Sequence, residues 1–134
     1  MGNSRIKNIV IIDDKDHALK QVIYEFPNVD KNGLSFRHFD TVRAFREANV
    51  QNIYIVFLDF FLSKDRDYGT TLIPELKCEN LICFSSMKEM SDHMYSKALE
   101  MDRSRIRYVY SVQKIKKDID NQELKKVLLE IFSR

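Results

Sequence analysis

Cysteine, glycine and long apolar runs are all scarce in this sequence, and each shortage excludes a class of protein. The two cysteines, Cys78 and Cys83, are too few for a disulfide framework or a cysteine-rich metal site. We therefore expect reduced thiols, as is usual in the cytoplasm. The three glycines are dispersed, so no glycine-rich loop is available to cradle a phosphate group. No apolar run approaches the roughly 18 residues of a membrane span, and we expect no signal peptide and no membrane association.

Charge is plentiful but nearly balanced, with 22 lysines and arginines against 20 aspartates and glutamates. The basic residues are scattered along the chain. Only Lys114, Lys116 and Lys117 cluster, and by itself that cluster indicates a solvated loop and helix end. A nucleic-acid interface needs a larger basic patch, so we expect no direct contact with nucleic acid. The length of 134 residues suits one domain with a single core.

Uninterrupted apolar runs predict strands that are buried on both faces of a sheet. The run at 53–59 is the clearest of these, because it contains β-branched and aromatic residues without polar alternation and closes on Asp59. Residues 34–39 alternate apolar and polar side chains instead, which is typical of an edge strand with one exposed face. The predicted strands are 6–12, 34–39, 53–59, 81–84 and 105–112.

Segments between these strands have the apolar spacing of amphipathic helices. Asp40 is the expected N-cap of the second helix, and Ser86 is a candidate N-cap of the fourth. The third helix is weakly predicted, because it contains Pro74 and a helix tolerates proline only in its first turn. The predicted helices are 16–26, 41–48, 69–77, 87–101 and 121–132. Five alternations of strand and helix predict an α/β protein, a doubly wound five-stranded parallel sheet with helices on both faces.

Acids or hydroxyls close three of the predicted strands. Asp13 and Asp14 follow the first, Asp59 ends the third and Ser85 follows the fourth. Parallel strands bring their carboxyl ends to one edge, which is where ligands bind in open α/β sheets. Two carboxylates about 4 Å apart repel each other by roughly 4 kcal/mol at an effective dielectric of 20, and a divalent cation removes that cost. Hard oxygen ligands favour Mg²⁺ over zinc or copper.

These residues, in this order, resemble the receiver domain of response regulators in two-component signalling. The resemblance spans residues 6–132 and implies the flavodoxin-like (βα)5 fold. It matches Asp59 to the aspartate that accepts a phosphoryl group. It matches Asp13 and Asp14 to the paired acids that, with Asp59 and the backbone carbonyl of Phe61, hold Mg²⁺.

The resemblance also implies roles for residues after the later strands. Ser85 matches the hydroxyl residue that bonds the phosphoryl group. Lys114 matches the lysine that pairs with the phosphoryl oxygens, although Lys117 stands at a comparable position and is an alternative. Ser111 occupies the place of the aromatic switch residue of the family, so either Tyr110 or Tyr108 takes over that role or the coupling is absent. Ile115 replaces the proline that usually follows the lysine.

The resemblance implies a stand-alone, phospho-accepting receiver rather than an enzyme. We expect residues 1–134 to form a single receiver domain with no output domain, phosphorylated by a histidine kinase or a phosphotransfer protein in the cytoplasm. Its downstream protein partner would dock on the fourth-helix and fifth-strand face, which could also serve a phosphorylation-dependent dimer.

Two other functions are compatible with parts of the sequence. A pseudo-receiver would keep the fold and act as an interaction module without phosphorylation, and the altered region around Lys114 favours it. A small phosphatase similar to the haloacid-dehalogenase class would use the D-x-D pattern of Asp14-Lys15-Asp16. It fits less well, because His17 and Ala18 follow in place of a small hydroxyl residue and no cap domain fits within the chain.

Overall fold

The computed structural model describes residues 6–13, 19–26, 31–64, 66–115 and 121–134. The segment Asp14-Lys15-Asp16, with His17 and Ala18, lies outside these ranges, as does Lys117. The strands are β1 Lys7–Ile12, β2 Leu34–Phe39, β3 Ile53–Asp59, β4 Phe61–Leu62, β5 Asp67–Tyr68, β6 Cys78–Ser85 and β7 Ile106–Gln113. The α-helices are α1 Leu19–Tyr24, α2 Val42–Ala48, α3 Lys88–Leu99 and α4 Gln122–Phe132, and short 3-10 helices cover Lys31–Gly33 and Gly69–Glu75.

Five strands form one parallel sheet in the order β2-β1-β3-β6-β7, as the alternation of strands and helices predicted. β3 is central and buried along most of its length, whereas β2 lies at an edge, as its alternating pattern predicted. Because neighbouring strands run in the same direction, the residues that follow β1, β3, β6 and β7 meet at one edge of the sheet. That edge is called the carboxyl edge below, and the opposite one the amino edge.

Two apolar cores cover the two faces of the sheet, because alternate side chains of each buried strand point to opposite sides. Val56 and Leu58 of β3 belong to the core that contains α2, the 3-10 helix 69–75 and α3. Ile55 and Phe57 belong to the core that contains α1 and α4. The predicted doubly wound α/β architecture is therefore confirmed. No helix in the described part of the chain is both long enough and apolar enough to cross a membrane.

The connection between β3 and β6 differs from the prediction. An antiparallel hairpin, β4–β5, lies between residues 59 and 69, where no strand was predicted. The predicted helix 69–77 is a 3-10 helix at Gly69–Glu75. Pro74 lies inside this short helix and has no backbone N–H to donate, which disfavours an α-helix there.

β6 is longer than predicted, since it starts at Cys78 and not at Leu81. Asn80, although polar, is fully buried in it, and its side-chain amide donates to the carbonyl of Tyr54 at 3.1 Å. Pairing with β3 on one side and β7 on the other holds this extension in the sheet. Cys78, which directly follows the predicted helix 69–77, is accordingly a strand residue.

Two predicted helix caps are wrong. Thr41, not Asp40, caps α2, because its hydroxyl oxygen accepts a hydrogen bond from the N–H of Ala44 at 3.0 Å. Asp40 instead forms an ion pair with Lys64. At α3 the N-cap residue is Met87, without a side-chain cap, and not Ser86. The remaining helix and strand boundaries agree with the predictions to within three residues over the described ranges.

Candidate functional site

The carboxyl edge brings together Asp13, Asp59, Ser85 and Lys114. Asp13 directly follows β1, Asp59 ends β3, Ser85 ends β6 and Lys114 directly follows β7. Asp13, Asp59 and Ser85 are buried, with 2%, 7% and 5% of their surfaces exposed. Asp14, the other predicted acid of this edge, lies outside the described residues.

The ammonium group of Lys114 joins the two aspartates. Its Nζ lies 2.8 Å from Oδ2 of Asp13 and 2.8 Å from Oδ1 of Asp59, while only 11% of the lysine side chain is exposed. The backbone N–H of Lys114 donates to the carbonyl of Ser85 at 2.7 Å, which ties the residue to the end of β6. The interpretation of Lys114 as part of a solvated loop is therefore wrong.

The pKa of Lys114 is raised above its ordinary value of 10.5. Burial acts to lower it, because it disfavours the charged amine. The negative charges of Asp13 and Asp59, with their hydrogen bonds to the ammonium group, act in the opposite direction and outweigh burial. Lys114 is therefore a firmly protonated cation at neutral pH, placed to compensate negative charge at this edge.

Backbone contacts hold the two aspartates in place. The N–H of Asp13 donates to the carbonyl of Phe39 at 3.0 Å, and Nε2 of His38 lies 2.6 Å from the carbonyl oxygen of Asp13. Oδ1 of Asp59 accepts a hydrogen bond from the N–H of Phe60 at 2.9 Å. The edge strand β2 thus helps to position Asp13, a contribution that its sequence did not indicate.

Gly69 packs against the backbone of Asp59 so closely that no other residue fits without a shift. A Cβ at position 69 would lie 2.0 Å from the carbonyl oxygen of Asp59. The N–H of Gly69 also donates to the carbonyl of Phe60 at 2.7 Å. The hairpin β4–β5 precedes this contact and contains Phe61, which pairs with Tyr68. Gly69 was predicted only to begin a helix, although an isolated glycine after a buried strand often marks a close backbone approach.

Ser85 and its neighbour Ser86 make local hydrogen bonds. The hydroxyl oxygen of Ser85 accepts from the N–H of Met87 at 3.2 Å, so it satisfies a backbone donor at the start of α3. The carbonyl of Ser86 accepts from the side chain of Gln113 at 3.0 Å. Ser85 therefore sits at the junction between the carboxyl edge and α3.

A polar cluster that was not predicted from the sequence joins α3, β7 and α4 beside this edge. Nζ of Lys88 lies 2.9 Å from the carbonyl oxygen of Ser111 and 3.0 Å from Oε1 of Glu123. The hydroxyl of Ser111 donates to Oδ1 of Asp92 at 2.6 Å. The resemblance puts Ser111 at the place of the family's aromatic switch residue, and in the structure its hydroxyl is hydrogen-bonded within this cluster. The (i, i+4) spacing of Lys88 and Asp92 was a signal for part of the cluster.

The donor set at the carboxyl edge fits a hard divalent cation. Asp13 and Asp59 offer carboxylate oxygens, the ligand type that Mg²⁺ prefers. Both also contact the ammonium group of Lys114, so their negative charges are compensated by a cation in this structure. Across the described ranges, no three His, Cys, Asp or Glu residues form a candidate metal cluster. A complete ligand set would therefore draw on Asp14 and on oxygens that are not carboxylates.

No protein-family model matches this sequence, and a search of curated proteins finds no match either. Solved structures do resemble the fold. A response regulator protein from Burkholderia pseudomallei, crystallised with a phosphorylated aspartic acid, a calcium ion and citrate, superposes with a TM-score of 0.54 over 93% of this chain and 66% of that chain, at 14% identity. A response regulator from Thermotoga maritima superposes with a TM-score of 0.49 at 14% identity, over 96% of this chain and 98% of that one. The first likeness, together with the five-stranded parallel sheet, shows that this chain has the flavodoxin-like receiver fold of response regulators.

Proposed function

We propose that this protein is a phospho-accepting receiver in which Asp59 takes a phosphoryl group in the presence of Mg²⁺. One observation carries the proposal. Lys114, which directly follows the edge strand β7, places a buried cation against both Asp59 and Asp13 at the carboxyl ends of their strands. A nucleophilic carboxylate with a fixed cation beside it suits the transfer of a dianionic group, because the cation compensates the charge of that group.

The chemistry follows from the charges. A carboxylate oxygen of Asp59 forms the new bond to phosphorus, while the bond from phosphorus to the donor breaks and the leaving group takes its electron pair. The ammonium of Lys114 compensates negative charge on the transferring oxygens. Asp59 is nearly enclosed, so electrostatic contacts at this edge are stronger than they would be in water.

Asp13, Asp14 and Asp59, with the backbone carbonyl of Phe61, would hold Mg²⁺. Bound there, the cation would neutralise charge on the carboxylates and on the phosphoryl group. The Burkholderia pseudomallei response regulator, which contains both a phosphorylated aspartic acid and a calcium ion, supports a divalent cation at such a site.

Signalling would pass from Ser85 to the face formed by α3 and β7, which correspond to the predicted fourth helix and fifth strand. A hydrogen bond from the Ser85 hydroxyl to the phosphoryl group would form only in the phosphorylated state. Such a differential contact is what shifts a conformational equilibrium. The domain would receive its phosphoryl group from a histidine kinase or a phosphotransfer protein in the cytoplasm and act by docking to a protein partner, not as an enzyme.

The direct test is to incubate the pure protein with acetyl phosphate, with and without Mg²⁺, and to measure its mass by mass spectrometry. We expect the wild type to gain one phosphoryl group only with Mg²⁺, and Asp59→Asn to gain none. Asp102→Asn, the same substitution at the amino edge, is the matched control and should behave as the wild type. Beryllofluoride should shift amide NMR signals from Asp59 to Ser85 and along β7.

Either of two results would contradict the proposal. Modification that persists in Asp59→Asn would place the acceptor elsewhere. A wild type that neither accepts a phosphoryl group nor responds to Mg²⁺ would favour the pseudo-receiver, an interaction module that uses the same fold without phosphorylation.

A further inference from the structure

A cleft lies at the amino edge of the sheet, far from Asp59. It has a volume of about 740 Å³ and is enclosed by the end of α2, the chain entering β3, and the segments that precede β6 and β7. β3 runs from Ile53 at this cleft to Asp59 at the carboxyl edge. At about 3.3 Å per residue, the two sites are roughly 20 Å apart.

Basic side chains outnumber acidic ones around this cleft. Two of them are already paired, Arg46 with Glu75 and Arg107 with Glu79. The lining includes five basic and two acidic residues, namely Arg46, Lys77, Arg103, Arg105, Arg107, Glu75 and Glu79. The excess of positive charge contradicts the expectation that basic residues are merely scattered.

Three cations of the cleft have no carboxylate at ion-pair distance within the described part of the chain: Lys77, Arg103 and Arg105. Lys77 and Arg103 are exposed, and Arg105 is half-buried. Nε of Arg105 is buried and has no hydrogen-bond partner, which is rare for a polar atom in a folded protein. Hydrogen bonds from Ser104 lower the pKa of Asp102, and the charge of Arg105 lowers it less, so the Asp102 carboxylate is engaged mainly by Ser104.

The helix dipole does not explain this excess. The C-terminal end of α2 reaches the cleft at Asn49, and a helix C-terminus carries a partial charge of about −0.5. One nearby cation would compensate such a charge, and Arg46 in the last turn of α2 is already there. The three remaining cations are therefore available to an anionic ligand.

The rest of the lining suits a ligand that is only partly charged. Phe45 and Val50 present half-buried apolar surface, and Asn49, Gln51 and Asn52 contribute amide groups. Polar groups make up more of the lining than apolar ones, which suits a charged ligand, and the volume lies in the range of about 300 to 1,000 Å³ that is characteristic of small-molecule sites.

We infer that the amino-edge cleft binds a phosphorylated small molecule of nucleotide size, with its phosphate groups on Lys77, Arg103 and Arg105 and its apolar part against Phe45 and Val50. Arginine suits this role because its planar guanidinium can donate two parallel hydrogen bonds to a phosphate. Glu75 and Glu79 interrupt the positive surface, which opposes an extended polyanion such as RNA and favours a compact ligand.

The test is titration of the pure, full-length protein with pyrophosphate and with ADP, in the absence of Mg²⁺, at physiological ionic strength. We expect saturable amide NMR shifts at 49–53 and 103–107, with ADP binding more tightly than pyrophosphate because of its apolar part. Arg103→Gln should weaken ADP binding about tenfold, because it removes charge-assisted hydrogen bonds to the phosphate groups. Arg105→Gln should weaken it at least as much.

Lys126→Gln, which neutralises an exposed lysine on α4 outside the cleft, is the matched charge control and should bind ADP as the wild type does. Asp59→Asn should also leave binding unchanged, so the result is independent of the proposed phosphoacceptor. Because Arg103 is exposed, its substitution keeps the test valid even where Arg105→Gln fails to fold.

Three results would overturn the inference. The first is the absence of saturable shifts at millimolar ADP. The second is a set of shifts confined to the carboxyl edge around Lys114. The third is single-stranded RNA that binds at the cleft while ADP does not, which would make the site an interface for a macromolecular polyanion.

Discussion

Replacing Lys114 with methionine should destabilise the fold strongly, because it leaves two buried carboxylates without their shared cation. Each carboxylate oxygen lies 2.8 Å from Nζ, so the two oxygens are at most 5.6 Å apart. At that separation and an effective dielectric of 20, their repulsion is about 3 kcal/mol. Methionine keeps an apolar stem of similar length, so little of the effect comes from lost packing. We expect a loss of about 3–5 kcal/mol at neutral pH, the cost of removing one partner from a buried ion pair.

Urea unfolding, compared between wild type and Lys114→Met, measures this loss. Protonation of one carboxylate removes the repulsion, so the loss should shrink as the pH falls toward about 4, where aspartates titrate. Added Mg²⁺ should restore part of the stability in the variant if Asp13 and Asp59 hold the cation. Lys64→Met is the matched control, since Lys64 pairs with Asp40 at the surface, and it should have little effect. A loss below about 1 kcal/mol that does not change with pH would refute the reasoning.

The same lysine predicts a loss of stability in alkali. The pKa of Lys114 is raised in the folded protein, so its contribution is complete below the ordinary value of 10.5 and disappears as the pH rises through the folded-state pKa. The difference in unfolding free energy between wild type and Lys114→Met should therefore narrow above pH 10.5. A difference that stays constant through this range would show that Lys114 does not titrate with folding.

Three further predictions concern Gly69, Thr41 and the two cysteines. Gly69→Ala should cost about 3 kcal/mol or more and disturb Asp59, because its Cβ would lie 2.0 Å from a backbone oxygen; a variant with wild-type urea unfolding and phosphorylation would contradict this. Thr41→Ala should cost about 1 kcal/mol through the lost cap of α2, measured in the same way, and an unchanged midpoint would show that the cap is dispensable. Burial raises the pKa of Cys78 to about 12 and also raises that of Cys83, so neither thiol should react with a thiol reagent until urea unfolds the protein. Rapid labelling of the folded protein would refute this last prediction.

The sheet could be predicted because its strands are defined by local sequence. A strand that is buried on both faces needs an uninterrupted apolar run, and 53–59 is such a run however the rest of the chain folds. Where these runs end is also visible in the sequence. Because the strands are parallel, their ends share an edge, so the positions of Asp13, Asp59 and Ser85 at the ends of their runs were enough to predict that they meet.

The connection after β3 could not be predicted, because its conformation depends on contacts that are distant in sequence. Gly69 packs on the backbone of Asp59, and the hairpin β4–β5 precedes it. The extension of β6 to Cys78 depends on pairing with strands on both sides, which overrides the local preference of Glu79 and Asn80. Likewise, Asp40 is a residue type that often caps helices, but it is Thr41 whose position lets its side chain accept the N–H of Ala44.

By itself, the sequence determined the α/β class, the parallel sheet and the acidic carboxyl edge. The spacing of apolar residues and the points at which the strands end are local properties of the sequence. Only the tertiary structure decided that Lys114 contacts Asp13 and Asp59, since an ion pair between residues 101 positions apart depends on how the edge strand packs. The basic cleft also depends on the tertiary structure. Arg103, Arg105 and Arg107 alternate visibly in the sequence, but Arg46 and Lys77 join them only when separate connections meet at the amino edge. Charges act through space, and the fold sets the distances over which they act.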